Sequence, residues 1–217
     1  MERFEIGGVE VRLRRTDGNA YRYRLLLPEN AVTLNAPSFV SDAAIMSKAK
    51  EIVADGFSCE RLNDLRDGGF IKLFGEKLPL TVYDADRCSI AMLNGRVYLG
   101  VVNGRIGYHA RRTVEEFYER RLFEKLKERV PKAENLVGIK CACWKINRMY
   151  SAWGNCRFDK KEINFSVNLA SQPTECIDMV IVHELGHILY HDHGAEFYAY
   201  MSKYVPEHAK LRAKMIL

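Results

Sequence analysis

The chain has 217 residues, of which 47% are hydrophobic and 28% charged, and its formal net charge is +5. That length and apolar share exclude a disordered tail and suit one larger domain or two small lobes, while so modest a charge permits nucleic-acid contact without requiring it. No stretch approaches the ~20 apolar residues of a membrane span, and Met1-Glu-Arg-Phe-Glu5 lacks an apolar signal region, so a cytoplasmic protein with no membrane partner is expected.

From the start, Val9-Glu-Val-Arg-Leu-Arg14 alternates apolar and polar, Asp17-Gly18-Asn19 turns, and Tyr21 to Leu27 resumes, which reads as a β-hairpin. Ala31 to Asn35 reads as a third strand. A helix then begins at Ser38 or Ser41 and runs to about Ala54, with Ala44, Ile45, Ala49, Ile52 and Val53 inward. Arg12, Arg14, Arg22 and Arg24 would form a basic stripe across the paired strands; a solvated outer face is the simpler reading, a phosphate or nucleic-acid role the sharper one. Further strands are expected at 70–74, 78–83, 88–93 and 96–102. Turns are expected at Gly75-Glu76 and at Asn94-Gly95, the strongest short hairpin signal. Residues 1–105 therefore read as a mostly antiparallel β lobe with one helix, and 104–107 as the hinge into a second domain, 106–217.

Thr113 to Val130 is amphipathic, with a capping-box pair at Thr113 and Glu116 and a stop at Pro131. Leu136–Tyr150, Ser151–Phe158 and Ile163–Leu169 read as strands. The six Cys (59, 88, 141, 143, 156 and 176) contain no Cys-x-x-Cys pair, so neither a disulfide framework nor a zinc ribbon is indicated. Cys141-x-Cys143 would share one face of a strand; a second metal site there is weighed against ordinary reduced thiols. Phe197, Tyr200, Met201 and Tyr204 lie at helical spacing before Pro206, and a last helix starts from Glu207.

The densest chemistry lies in Met179-Val-Ile-Val-His183-Glu184-Leu-Gly-His187-Ile-Leu-Tyr-His191-Asp-His193-Gly-Ala195. Residues four apart share a helix face, so His183 and His187 can aim ring nitrogens at one ion with Glu184 beside them. A shuffled chain of this composition would contain His-Glu-x-x-His about 0.01 times. The surrounding run is apolar, and buried imidazoles with a carboxylate are costly unless paired or metal-bound. The plain alternative is two core histidines bonded to carbonyls. At 1.5 Å per residue His191 would lie about 12 Å along the axis from His183, so one ion cannot be reached from both in a straight helix. The third ligand must come from beyond a bend: His193 is the best candidate, because Gly194 permits a left-handed turn. Glu196 is the runner-up ligand, with a solvated carboxylate as its simpler reading, and His191 is read as lying outside the first ring of ligands. Neither His109 nor His208 is assigned to the metal.

Ser151-Ala-Trp153-Gly154-Asn155-Cys156, the hairpin after it, Pro173, the run from Ile177 through His187, then His193 and Phe197, together resemble the YgjP-like metallopeptidase family, small relatives of the SprT-like and WLM zinc proteases. The resemblance is specific over about residues 140–200. It implies an α+β, zincin-like fold with a short sheet before the active-site helix, one Zn2+ (another divalent ion being an option) on His183, His187 and His193, Glu184 as general base, and a peptide or protein substrate. Ala152 and Asn155 stand where the family usually has Arg and Ser, which affects substrate contacts more than the metal. Trp153, Asn155 and Tyr150 are candidate substrate contacts; for Trp153 core packing is the simpler role. In zincin-like proteins the strand nearest the metal is an edge that can pair with an extended peptide.

These residues leave three function classes open: a zinc metallopeptidase first, a metal-dependent nucleoside triphosphate pyrophosphohydrolase second, and a non-catalytic, metal-stabilised nucleic-acid-binding protein third.

Overall fold

Residues 2–6, 9–18, 21–26, 31–56, 63–149 and 152–215 are described by a computed structural model. The described residues are α+β, and the chain divides into two units, residues 1–63 and 64–217.

In the first unit, alternating sequence makes β1 (Glu2–Ile6), β2 (Val9–Thr16), β3 (Arg22–Leu26) and β4 (Ala31–Pro37), and these lead into α1 (Asp42–Gly56). Their order is β1-β2-β4-β3, with β2 and β4 parallel. The expected β2–β3 hairpin is therefore replaced by a sheet in which β4 lies between them. The reason is burial: Val11 and Leu13 of β2 and Val32 and Leu34 of β4 join Ile45, Ala49 and Ile52 of α1 in one core, whereas β3 carries the exposed Tyr23 and takes the edge. Ala44, expected to face inward, is exposed. The arginine stripe is broken as well, since β4 separates Arg12 and Arg14 from Arg22 and Arg24, and Arg12 donates to Glu10 at 2.8 and 3.0 Å.

The division falls within the two-residue β5 (Asn63–Asp64), after which come β6 (Phe70–Leu73), β7 (Glu76–Asp84), β8 (Ser89–Leu93) and β9 (Arg96–Val101), in the order β5-β6-β7-β9-β8. Asn94-Gly95 has positive φ at both residues (49° and 73°), the primed turn its sequence demands. The other turn is Phe74-Gly75 (φ 51° and 87°), one residue earlier than expected. Its two amides donate to the carbonyls of Ala170 and Ser171, at 2.7 and 3.3 Å, so the turn is docked on the segment that precedes Pro173. Because β7 and β9 run parallel, this sheet is mixed rather than purely antiparallel.

Next, α2 (Tyr108–Val137) runs through Pro131 instead of stopping before it, and Thr113 lies inside the helix, donating to the carbonyl of His109 at 2.9 Å rather than capping an end. An interior proline costs about 3 kcal/mol. Here Pro131 is exposed while the inward stripe continues through Ala133 and Val137, and that burial outweighs the lost bond. Gly138, left-handed at φ 73°, ends the helix.

Since the helix consumes residues 136 and 137, the first strand after it shrinks to β10 (Cys143–Asn147), and β11 (Gly154–Arg157) and β12 (Glu162–Ser166) come after it. The order is β10-β12-β11, leaving β11 on an edge, antiparallel to β12. A 3-10 turn, Val167–Ser171, replaces the end of the last expected strand and leads into α3 (Thr174–Gly186), α4 (Ala195–Tyr204) and α5 (His208–Lys214). The helix α3 is buried on nearly every side, as its apolar run requires, and Arg129 of α2 grips Asp178 with both its Nε (2.7 Å) and a terminal nitrogen.

Leu80, Leu99 and Val101 of the five-stranded sheet share one core with Leu122 and Leu126 of α2, Phe165 of β12 and Ile177 of α3. The units thus divide at 63/64, whereas the sequence places the division at 105/106: the β6–β9 sheet shares its apolar face with the helices that come after it. No helix among the described residues is long and apolar enough to cross a membrane.

Candidate metal centre

The helix α3 ends at Gly186, one residue before the second histidine of the motif, and a turn over residues 187–189 succeeds it. Bonds from the amides of Ile188 to Leu185 O (3.1 Å) and of Leu189 and Tyr190 to Gly186 O (3.0 and 2.9 Å) reverse the chain there. Gly194 is not the pivot expected of it: its φ is −76°, an ordinary extended value at the start of α4. The bend is made earlier, and Asp192 holds the segment leading into α4 by accepting the Gly194 amide at 3.0 Å.

That path brings three imidazoles together. His187 Nε2 and His193 Nε2 each lie 3.1 Å from His183 Nε2, and all three ligand atoms fall within 4.8 Å of one another. Two nitrogens bound tetrahedrally to one zinc at 2.0–2.1 Å would be ~3.3 Å apart, so the set fits the ion. His187 Nδ1 lies 2.9 Å from the carbonyl of Tyr190, which calls for a proton on Nδ1 and leaves the lone pair of Nε2 facing the cluster. Burial, then the charges of His187 and His193, push His183 down to about 3, so it stays neutral and able to ligate. Burial likewise lowers His193.

Beneath the imidazoles lies Phe197, 1% exposed, its ring stacked on His187 (4.6 Å between centroids) and edge-on to His183 and His193 (4.9 Å each). Gly186 makes room for this floor, because a Cβ there would meet the Tyr200 ring at 2.6 Å.

Glu184 is buried, burial pushes its carboxyl up to about 8, and its Oε2 has no hydrogen-bond partner among the described residues. An unpartnered buried carboxyl oxygen is costly and marks a site awaiting a ligand. Gly154 of β11 lies directly against it: a Cβ at 154 would stand 2.5 Å from Glu184 Oε1.

The other candidates fall elsewhere. His191 stacks on Phe158 at 3.9 Å, and Glu196 is exposed and outside the three-histidine group. Trp153 is half-buried and packs against the main core. Asn155 pairs with Asn164, next to Gly154 along the strand, so its side chain points to the sheet face away from Glu184. There it accepts from Asn164 Nδ2 at 2.8 Å, while Asn164 Oδ1 accepts from Asn147 at 2.7 Å, a ladder across all three strands. Tyr150 lies outside the described residues. Cys141 precedes β10, its thiol donating to Glu134 at 3.3 Å and pushed up to about 12 by burial, while Cys143 faces Glu162; among the described residues no cysteine joins the metal-capable group.

Three contributors were given no role at the histidines by the sequence reading: the Tyr190 carbonyl, the Gly154 backbone and the Phe197 floor. Only Phe197, four residues after His193, could have been anticipated as a ring packed against it.

A family model of the YgjP-like metallopeptidase domain matches residues 21–216. The crystal structure of the metallopeptidase zymogen abylysin of Pyrococcus abyssi is similar at 16% identity and a TM-score of 0.39, over 41% of this chain and 90% of that one. No curated protein matches the sequence.

Proposed function

The chain belongs to the YgjP-like metallopeptidase family, and from that premise we propose that this metal-dependent peptidase is a zinc enzyme in which His183, His187 and His193 hold the ion and Glu184 is the general base. The observation that carries the reading is the convergence of three imidazole Nε2 atoms with a buried, unpartnered carboxyl oxygen on the adjoining residue.

When bound, the ion supplies a Lewis acid and lowers the pKa of water toward ~7. The residues of the chain do the rest. Glu184, whose carboxyl is lifted by burial toward the working pH, is suited both to take a proton from the attacking water and to give it to the departing amine nitrogen. Gly154 lets β11 approach Glu184 closely, and β11 is an edge strand whose outer N–H and C=O groups suit an extended peptide. A protein or peptide is accordingly the substrate class, bound through main chain more than through the Asn155 side chain, which is committed to its ladder.

The test is zinc content together with cleavage of a peptide panel, for the wild type and Glu184→Gln. The variant should keep its zinc and lose at least about a hundredfold in turnover. Equal turnover would remove Glu184 from its role.

A further inference from the structure

The asparagine ladder of the three-stranded sheet has a direction. Asn147 of β10 donates through Nδ2 to Asn164 Oδ1 at 2.7 Å, and Asn164 of β12 donates through its own Nδ2 to Asn155 Oδ1 at 2.8 Å. Asn164, 8% exposed, uses both the oxygen and the nitrogen of its amide. Asn155, the last member, only accepts. It is exposed, lies on the edge strand β11, and its Nδ2 makes no hydrogen bond among the described residues. The ladder claims Asn155 Oδ1 and ends, at the free edge, in the two N–H donors of Nδ2.

The backbone register determines what meets those donors. The Ser166 amide donates to the Trp153 carbonyl at 2.8 Å, and along an antiparallel pair the residues that bond across to the partner strand alternate with those that do not. Trp153, Asn155 and Arg157 thus turn their N–H and C=O groups inward to β12, whereas Gly154 and Cys156 turn theirs to the free edge. An antiparallel peptide added there bonds to Gly154 and Cys156. Its residue opposite Asn155 then falls in a non-hydrogen-bonded pair, with Cα atoms about 4.5 Å apart and both side chains on one face at their closest approach. Gly154 is also where β11 meets Glu184, so this peptide residue is next to the one held at the base. Arg157, two residues along on the Asn155 face, is exposed and forms no ion pair among the described residues, and the Glu162 carboxylate across from it is engaged by Lys145 at 3.2 Å.

We propose that Asn155 is a specificity-determining residue: its free Nδ2 extends the ladder onto the substrate and selects an acceptor side chain, aspartate first and asparagine second, beside the residue held by Gly154. This rests on the peptidase reading above, in which the edge of β11 takes an extended substrate. Main-chain bonds set the register, and the ladder adds a choice of side chain on the face away from Glu184. The donors are oriented in advance, since Asn164 holds the Asn155 amide, and Arg157 favours a carboxylate over a neutral amide. A lysine at that position sets a cation against N–H donors, and a leucine covers them without offering an acceptor.

The test gives full-length, zinc-loaded protein a set of peptides that carry Asp, Asn, Leu or Lys at each position around the cleaved bond in turn, with products identified by mass spectrometry. At one position Asp should exceed Leu in kcat/KM by about tenfold, with Asn intermediate and Lys lowest. Asn155→Asp keeps the oxygen that Asn164 needs and replaces the outward donor with an acceptor, so zinc content and thermal unfolding should hold while the order at that position inverts to favour Lys. An Asn155→Asp profile equal to that of the wild type, no preference at any position, or a wild-type preference for Lys would each overturn the assignment. If no peptide is cut, the peptidase reading fails, and fluorescence anisotropy with labelled peptides bearing Asp or Lys at alternate residues decides the inference alone. Tighter binding of the Asp peptide, removed by Asn155→Asp, sustains it; equal binding of the two, or no effect of the substitution, overturns it.

Discussion

A carboxyl group that is 4% exposed beside three imidazoles sets opposing demands on the metal-free protein. His183 is lowered to about 3 from its ordinary 6.5, so the unfolded chain holds a proton there between those values that the folded chain lacks. This cost appears as pH falls through that window. Glu184 is raised from 4.5 to about 8, so the folded chain holds the extra proton, and the associated stability is lost as pH rises through its window. Between 4.5 and 6.5 the two effects cancel, and from 6.5 to 8 only Glu184 acts. The urea midpoint of the metal-free protein should therefore fall from pH 6.5 to 8, and Glu184→Gln should flatten that slope; parallel slopes would contradict the buried-carboxyl account. At the same scale, Phe197→Leu keeps the floor apolar but removes the ring stacked on His187, and zinc affinity should weaken about 10- to 100-fold in a competition titration with a chromophoric chelator. The three histidines that converge were visible as residues, and their meeting at Nε2 is what the structure adds. The carbonyl that orients His187 was not visible, because every residue offers one and only the path of the chain selects Tyr190.

At the scale of elements, β11 contributes no side chain of its own where Gly154 meets the Glu184 side chain of α3. Gly154→Ala places a methyl 2.5 Å from Glu184 Oε1 and 2.7 Å from its Cγ, and the buried carboxylate has little room to retreat. Turnover should fall about tenfold or more through misplacement of the base, at unchanged zinc content; loss of zinc instead would show that the strand supports the ligands rather than Glu184. Helix α2 illustrates how an element can overrule its own punctuation. Pro131 predicts an end, yet Ala133 and Val137 extend the buried stripe past it, and tertiary burial decides the matter. The asparagine ladder is similarly invisible in sequence, since Asn147, Asn164 and Asn155 become neighbours only when β12 lies between β10 and β11.

On the scale of the whole molecule, the two units have separate cores. The first is confined to residues 11–53, and the second runs from Ile71 to Met215 and contains the complete metal-capable group. A fragment of residues 64–217 should therefore fold cooperatively and bind one zinc with the stoichiometry of the full chain, as circular dichroism and metal analysis would report. A fragment cut at 106 would lose Ile71, Leu80 and Leu99 from the wall that covers α2 and should fail to fold. If the 106–217 fragment were as stable as the longer one, the shared core would be of no consequence.

By itself the sequence determined the residue types available for chemistry and the local shapes: where Asn94-Gly95 must turn, and, Ala44 apart, which stripes of α1 and α4 face inward. These come from residue type and from periods of two and 3.6, which are properties of neighbouring residues. The tertiary structure alone decided what depends on partners distant along the chain: the insertion of β4 between β2 and β3, the continuation of α2 past its proline, the Phe197 floor, and the approach of Gly154 to Glu184. Such contacts are chosen by competition for buried area across the whole fold, and no local pattern encodes the outcome of that competition.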